Sequence, residues 1–225
     1  MMRCVLFDLD GTLLDTAPDL MAAANHVLQD HSFDPISLAK AQQLASHGAV
    51  GLLNEGFGSD ITRFNLPQLR QQLLDYYAQN LAIHTQFYPG IEAALQWLNE
   101  SGIAWGVVTN KPFYLADPLL DHYPSFASCQ ILLGGDSLEQ KKPHPMPLYV
   151  ACEHLQANPS ESIYVGDAQR DIEAGNRADM FSLQANWGYL SPLERQQNWE
   201  PDHVLELSSQ LIHFLKSHFD NHAAT

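Results

Sequence analysis

The chain has 225 residues, 45% of them hydrophobic and 16% charged, which is enough to bury a large core as one domain or as a core with a smaller insert, and too apolar for a disordered segment. Its 11 Lys and Arg against 26 Asp and Glu give a formal net charge of −15, which argues against nucleic acid or an anionic membrane as a partner. Cys4, Cys129 and Cys152 are odd in number and far apart, so neither a disulfide framework nor a zinc motif is indicated; with no signal peptide after Met1-Met2-Arg3 and no apolar run near the ~18 to 20 residues of a membrane span, the expected location is the cytoplasm.

Cys4-Val5-Leu6-Phe7 predicts a strand, and it ends in Asp8-Leu9-Asp10-Gly11-Thr12. Side chains alternate along an extended chain, so Asp8 and Asp10 can converge on one small volume. Two carboxylates held together repel, and either one takes a proton or both share a cation. Both outcomes suit a site where one group attacks and its neighbour moves protons. The competing reading is a polar turn. An EF-hand loop is excluded, because its glycine stands sixth in the run of ligands and Gly11 stands fourth.

Thr16 is the expected N-cap, and Pro18 the first-turn residue, of a helix reaching about Gln29. Apolar spacing near 3.6 continues through Leu52-Leu53, Leu66, Leu69, Leu73-Leu74 and Tyr77 to about residue 84, without a strand. Tyr88-Pro89-Gly90 then punctuates the chain. Beyond it, helices at 91–101, 113–122, 147–156 and 168–178 alternate with strands at 103–109, 130–133, 162–166 and 181–185. That alternation predicts an α/β fold, a Rossmann-like parallel sheet with helices on both faces, with residues 16–87 as a helical insert after the first strand.

Three further segments mark strand ends or loops. Thr109-Asn110 closes one predicted strand, and Gly166-Asp167 closes another, with Asp171 four residues on. Lys141-Lys142-Pro143 opens a proline-stiffened connection ahead of a helix. In open parallel sheets ligands bind at the carboxyl ends of the strands, where Asp8, Thr109 and Asp167 are placed. Each segment alone also has a structural reading: a turn for Thr109-Asn110, solvated charge for Lys141 and Lys142, an N-cap for Asp167 and a favourable first-turn charge for Asp171.

In their order, and over nearly the whole chain, these four segments resemble the haloacid dehalogenase superfamily of phosphotransferases. The resemblance implies a catalytic core of residues 1–15 and 88–225 under an α-helical cap of residues 16–87. It implies that Asp8 attacks phosphorus to form an aspartyl phosphate, and that Asp10 protonates the leaving alkoxide and then activates water. Thr109 and the Asn110 backbone would bind the non-bridging oxygens, and Lys142 would neutralise charge beside the nucleophile. Asp167 and Asp171 would hold Mg²⁺ with one oxygen of Asp8 and the main-chain carbonyl of Asp10. A dehalogenase needs no acid at the second carboxylate, so Asp10 points to phosphoryl transfer.

Trp105-Gly106-Val107-Val108-Thr109-Asn110-Lys111-Pro112 and Pro201-Asp202-His203-Val204-Leu205 carry a closer similarity to phosphoglycolate phosphatases and N-acetylmuramic acid 6-phosphate phosphatases. The implied substrate is a small phosphate ester, 2-phosphoglycolate or a sugar phosphate such as N-acetylmuramic acid 6-phosphate. Ser46, His47 and Gly48 are the expected substrate-selecting residues, because the glycines that follow Ser46 allow backbone to approach a ligand; the alternative is a plain helix junction. Ser46 stands where many phosphoglycolate phosphatases place glycine. Two other functions stay open: a phosphomutase built on the same core, and a phospho-acceptor signalling domain, which would need no cap and would not carry its aspartate on the first strand. Oligomeric state is not legible.

Overall fold

The structure is a computed structural model that describes residues 3–221. Its strands are β1 (Cys4–Phe7), β2 (Leu14–Asp15), β3 (Gln86–Phe87), β4 (Ala104–Val108), β5 (Leu132–Leu133), β6 (Ile163–Gly166), β7 (Phe181–Ala185) and β8 (His203–Leu205). Its helices are α1 (Ala17–Asp30), α2 (Leu38–Leu44), α3 (Gly48–Phe57), α4 (Leu66–Gln79), α5 (Ile91–Glu100), α6 (Phe113–Asp121), α7 (Met146–His154), α8 (Gln169–Arg177) and α9 (Leu211–Asn221).

Six strands form one parallel sheet in the order β5-β4-β1-β6-β7-β8, as the α/β alternation requires. Every residue of β1 is buried, because a central parallel strand is covered on both faces and reads as an unbroken apolar run. Alternation then sorts its side chains. Val5 and Phe7 pack with Leu95, Leu119 and Leu215 from α5, α6 and α9, while Cys4 and Leu6 pack with Leu148, Cys152 and Ala174 from α7 and α8. Asp179 sits at φ 55 between α8 and β7, a left-handed conformation that aspartate tolerates.

Helices α1 to α4 build a separate apolar core from residues such as Leu28, Leu52, Leu53, Leu73 and Tyr77. The chain enters and leaves this helical cap through an antiparallel ribbon, with Leu14 opposite Phe87 and Asp15 opposite Gln86. No strand was expected there, and the helical pattern ends at Gln79, before the predicted limit of 84. The cause is local. Buried Asp19 accepts hydrogen bonds from His84 N, Thr85 N and Thr85 Oγ1 at 2.9, 3.0 and 2.7 Å, which turns the chain back toward the sheet. The predicted strand at 130–133 is confined to Leu132–Leu133 at the sheet edge. Beyond residue 185 the structure adds the edge strand β8 and helix α9, neither of them expected from the sequence.

Candidate active site

The sheet ladder carries one residue past β1, since Asp8 N donates to Val165 O at 2.8 Å, and this delivers the Asp8 carboxylate to the carboxyl edge with 2% exposure. Leu9 N donates to its Oδ1 at 2.8 Å, and the Lys142 ammonium lies 3.0 Å from the same oxygen. Lys142 Nζ also lies 2.7 Å from Asp171 Oδ1 and donates to the Tyr164 hydroxyl at 2.7 Å, which donates onward to Val108 O. The loop bearing Lys142 is pinned by Asn110, whose Nδ2 donates to Lys142 O at 2.9 Å. Burial alone would drive the Asp8 carboxyl toward its neutral form, but Lys142, Arg170, the Leu9 N–H and the Thr109 hydroxyl outweigh it and hold the pKa below the ordinary carboxylate value.

Asp8, Asp167 and Asp171 bring carboxylate oxygens to within 4.8 Å of one another, all three buried. Among the described residues no cation lies within ion-pair distance of Asp167, and burial, reinforced by the Asp171 and Asp8 carboxylates, pushes its pKa up to about 7. Three oxygen donors with one carboxylate lacking its counter-charge suit a hard divalent cation such as Mg²⁺. The Asp10 side chain stays outside this cluster and accepts from Thr16 Oγ1 at 2.6 Å and Lys111 Nζ at 3.0 Å, so only its main chain can serve the role expected of it at a metal. Gly11 has φ +82, and a Cβ there would overlap the Asp167 carboxylate and the Tyr189 ring; this turn admits only glycine on both counts.

A cavity of about 260 Å³ opens between cap and core, and Asp8, Asp10, Thr109 and Asn110 line its core side. Ser46, His47 and Gly48 line it from the cap. Ser46 also docks the two units: its hydroxyl lies 3.3 Å from Asp167 Oδ2 and 3.3 Å from Tyr189 O, and its carbonyl accepts from Arg170 Nη1 at 2.8 Å. The half-exposed His47 ring lies 3.7 Å from Glu194 Oε1. Gly48 opens α3 at φ 65, ψ −163, backbone that is essentially restricted to glycine, although the space around it is open.

Lys111 and Arg170 carried no expectation from the sequence, whereas Tyr189 lies just past the predicted strand at 181–185, where the chain is expected to border the site. Lys111 Nζ, besides its pair with Asp10, donates to the Tyr77 hydroxyl of α4 at 2.9 Å, so a core ammonium touches both the second aspartate and the cap. Burial opposes its charge, but Asp10 and the Tyr77 hydroxyl prevail and raise its pKa. The only legible signal was its place directly after Thr109-Asn110. Arg170 has a buried Nε with no hydrogen-bond partner. Tyr189 accepts from Ala17 N at 2.8 Å and donates to Asp15 Oδ1 at 2.8 Å. That hydroxyl meets the start of α1 in place of Thr16, which occupies the N-cap position without a side-chain capping bond and turns its own hydroxyl to Asp10.

A parallel sheet whose central strands lead into buried carboxylates beside a buried lysine, with a cavity between it and a helical cap, defines the architecture of a capped α/β enzyme. Residues 5–185 match the family described as haloacid dehalogenase-like hydrolase, and the chain belongs to that family. It is 39% identical over 209 residues to the phosphoglycolate phosphatase of Xanthomonas campestris pv. campestris, covering 93% of this chain and 94% of that one. It is 34% identical over 214 residues to the N-acetylmuramic acid 6-phosphate phosphatase of Pseudomonas aeruginosa, covering 95% of each chain. The crystal structure of a predicted phosphoglycolate phosphatase from Haemophilus somnus superposes with a TM-score of 0.83 at 27% identity, covering 95% of this chain and 98% of that one. The protein is thus a phosphatase-type hydrolase of the haloacid dehalogenase-like family.

Proposed function

We propose that the protein is a Mg²⁺-dependent phosphomonoester hydrolase that works through an aspartyl phosphate on Asp8, with 2-phosphoglycolate or N-acetylmuramic acid 6-phosphate as its substrate. The observation that carries this reading is the buried Asp8 carboxylate, kept ionised by Lys142 and lining the same cavity as Asp10 and Thr109. An ionised carboxylate needs no base to attack phosphorus, and its orientation is fixed by the grip of Leu9 N and Lys142 on Oδ1. Asp10, steadied by Thr16 and Lys111, gives the proton that the leaving alkoxide requires and later takes one from the attacking water. Thr109, at the end of β4, and the Asn110 backbone contact the phosphoryl oxygens. Bound Mg²⁺, held by Asp8, Asp167 and Asp171, would offset the charge of the phosphate dianion against the nucleophile.

Residues 16–87 act as the cap that admits the ester and shuts out water, with Ser46, His47 and Gly48 at the interface. The partner is then a small-molecule phosphate ester. Among the described residues no helix is long and apolar enough to cross a membrane, and a cytoplasmic location fits this reading. The test is phosphate release with Mg²⁺ across phosphoglycolate, N-acetylmuramic acid 6-phosphate, hexose phosphates and nucleotides, alongside the Asp8→Asn protein. Release by the native protein and none by the variant is expected. Equal release by both would overturn the mechanism.

A further inference from the structure

This acidic chain places five of its eleven lysines and arginines at one cavity: Arg70, Lys111, Lys141 and Arg170 line it, and Lys142 lies against Asp8 at its base. Three of them are committed. Lys142 pairs with Asp8 and Asp171, Lys111 pairs with Asp10, and Arg170 sits in the field of the three clustered carboxylates while donating to Ser46 O. Arg70 and Lys141 differ. Both are exposed, and among the described residues neither has a carboxylate within ion-pair distance.

Arg70 is also placed with purpose along α4. Arg70, Leu74 and Tyr77 line the same cavity at helical spacing, so one stripe of the helix faces it. Tyr77 marks the catalytic end of that stripe, because its hydroxyl meets the Lys111 ammonium that pairs with Asp10. Seven residues separate Tyr77 from Arg70, which is about 10 Å of helix at 1.5 Å per residue. Between them the cavity wall is apolar, with Leu20, Leu74 and Leu115. At the catalytic end Lys111 and Lys142 are already engaged by carboxylates, and the far end offers a guanidinium with nothing to neutralise.

We propose that Arg70, on the cap wall of the cavity that Lys141 lines from the core, is a subsite for a second anionic group on the leaving alcohol, and that the substrate is a phosphorylated sugar carrying a carboxylate remote from its phosphate. This rests on the phosphatase reading and narrows it. The two candidate esters both carry a carboxylate, but a hexose ring spans the gap along α4 and a two-carbon ester does not. A guanidinium suits a carboxylate because its planar fork can donate two parallel hydrogen bonds.

The experiment compares kcat/KM for N-acetylmuramic acid 6-phosphate and N-acetylglucosamine 6-phosphate, which differ by the 3-O-lactyl group that bears the carboxylate, with p-nitrophenyl phosphate as a third substrate. The native protein should prefer the carboxylated sugar by about tenfold or more, the scale of one charge-assisted hydrogen bond. Arg70→Ala should collapse that ratio, Arg70→Lys should retain part of it, and Arg70→Glu should invert it. A native ratio near one, or an equal loss on both sugars in Arg70→Ala, would overturn the proposal and reduce Arg70 to general attraction of anions. Release from neither sugar would overturn it too; release from p-nitrophenyl phosphate in that case would leave the phosphatase reading standing, and its absence would remove both.

Discussion

Lys142 is the most exacting point in the site, because one ammonium with no solvent exposure serves two carboxylates at 3.0 and 2.7 Å and a tyrosine hydroxyl at 2.7 Å. Lys142→Met keeps most of the side-chain volume and deletes the charge. It would leave Asp8, Asp167 and Asp171 buried together, with Arg170 near but outside ion-pair range of all three. Removing one partner of a buried pair costs about 3–5 kcal/mol. In a chain of this length each kcal/mol moves Tm by about 2–4 °C, so the melting point should fall by about 6–20 °C in chelator at pH 8. Without the ammonium the Asp8 carboxyl loses the main charge that holds its pKa down, and toward pH 5 it can take up a proton in place of the missing cation. The difference between native and variant should therefore shrink toward pH 5 and widen toward pH 8. Mg²⁺ should restore part of the loss by supplying positive charge. Thermal unfolding at both pH values, with and without Mg²⁺, measures all of this, and a variant melting with the native protein at pH 8 in chelator would refute the charge argument.

Three other expectations follow from single contacts. In metal-free protein Asp167 has a folded pKa of about 7 against an ordinary value of 3.8, so the native state holds the extra proton; its contribution to stability is full below about pH 4 and is lost as pH rises through 7. Asp167→Asn should flatten that slope in urea unfolding, and an unchanged slope would mean the carboxyl is not perturbed. Lys111→Met should lower turnover of alkyl phosphates by about tenfold or more while sparing an aryl phosphate whose leaving group needs no proton, with Tyr77→Phe a weaker copy of the same split; equal losses on both substrates would detach Lys111 from Asp10. Ser46→Ala removes the hydroxyl that reaches Asp167 and Tyr189 O but keeps the carbonyl that Arg170 holds, so it should raise KM for Mg²⁺ by less than tenfold with the fold intact. Titrating activity against Mg²⁺ reads this directly, and an unchanged curve would leave Ser46 as a plain helix junction.

The core of the site was legible because its residues sit where local rules are strict. Asp8 and Asp10 follow directly on the apolar run of β1 and both line the cavity, although the chain bends at Leu9 and does not run extended between them, and Thr109, Asp167 and Lys142 follow apolar runs or precede a proline. What stayed hidden depends on distant pairing. The β2 and β3 segments are two residues each and exist only because the entry and exit of the cap meet, which neither Leu14-Asp15 nor Gln86-Phe87 declares in its composition. Strand β8 is a three-residue edge strand with His203 and Val204 exposed, too short for a period. Helix α9 did carry a signal, since Leu211, Leu215 and Phe219 recur every four residues and are buried. Thr16 shows propensity yielding to tertiary demand: a residue type that favours the N-cap spends its hydroxyl on Asp10. Lys111 finds Asp10 across 101 residues of chain, and no local pattern can report that.

The central claim, that Asp8 becomes phosphorylated during turnover, is tested most directly by quenching the working enzyme into borohydride, which reduces an aspartyl phosphate to homoserine, and sequencing the peptide that contains residue 8 by mass spectrometry. The account predicts homoserine at position 8 only when substrate and Mg²⁺ are both present, and none at Asp10. Turnover at the native rate with Asp8 unmodified, in a protein whose Asp8→Asn variant also releases phosphate, would contradict it.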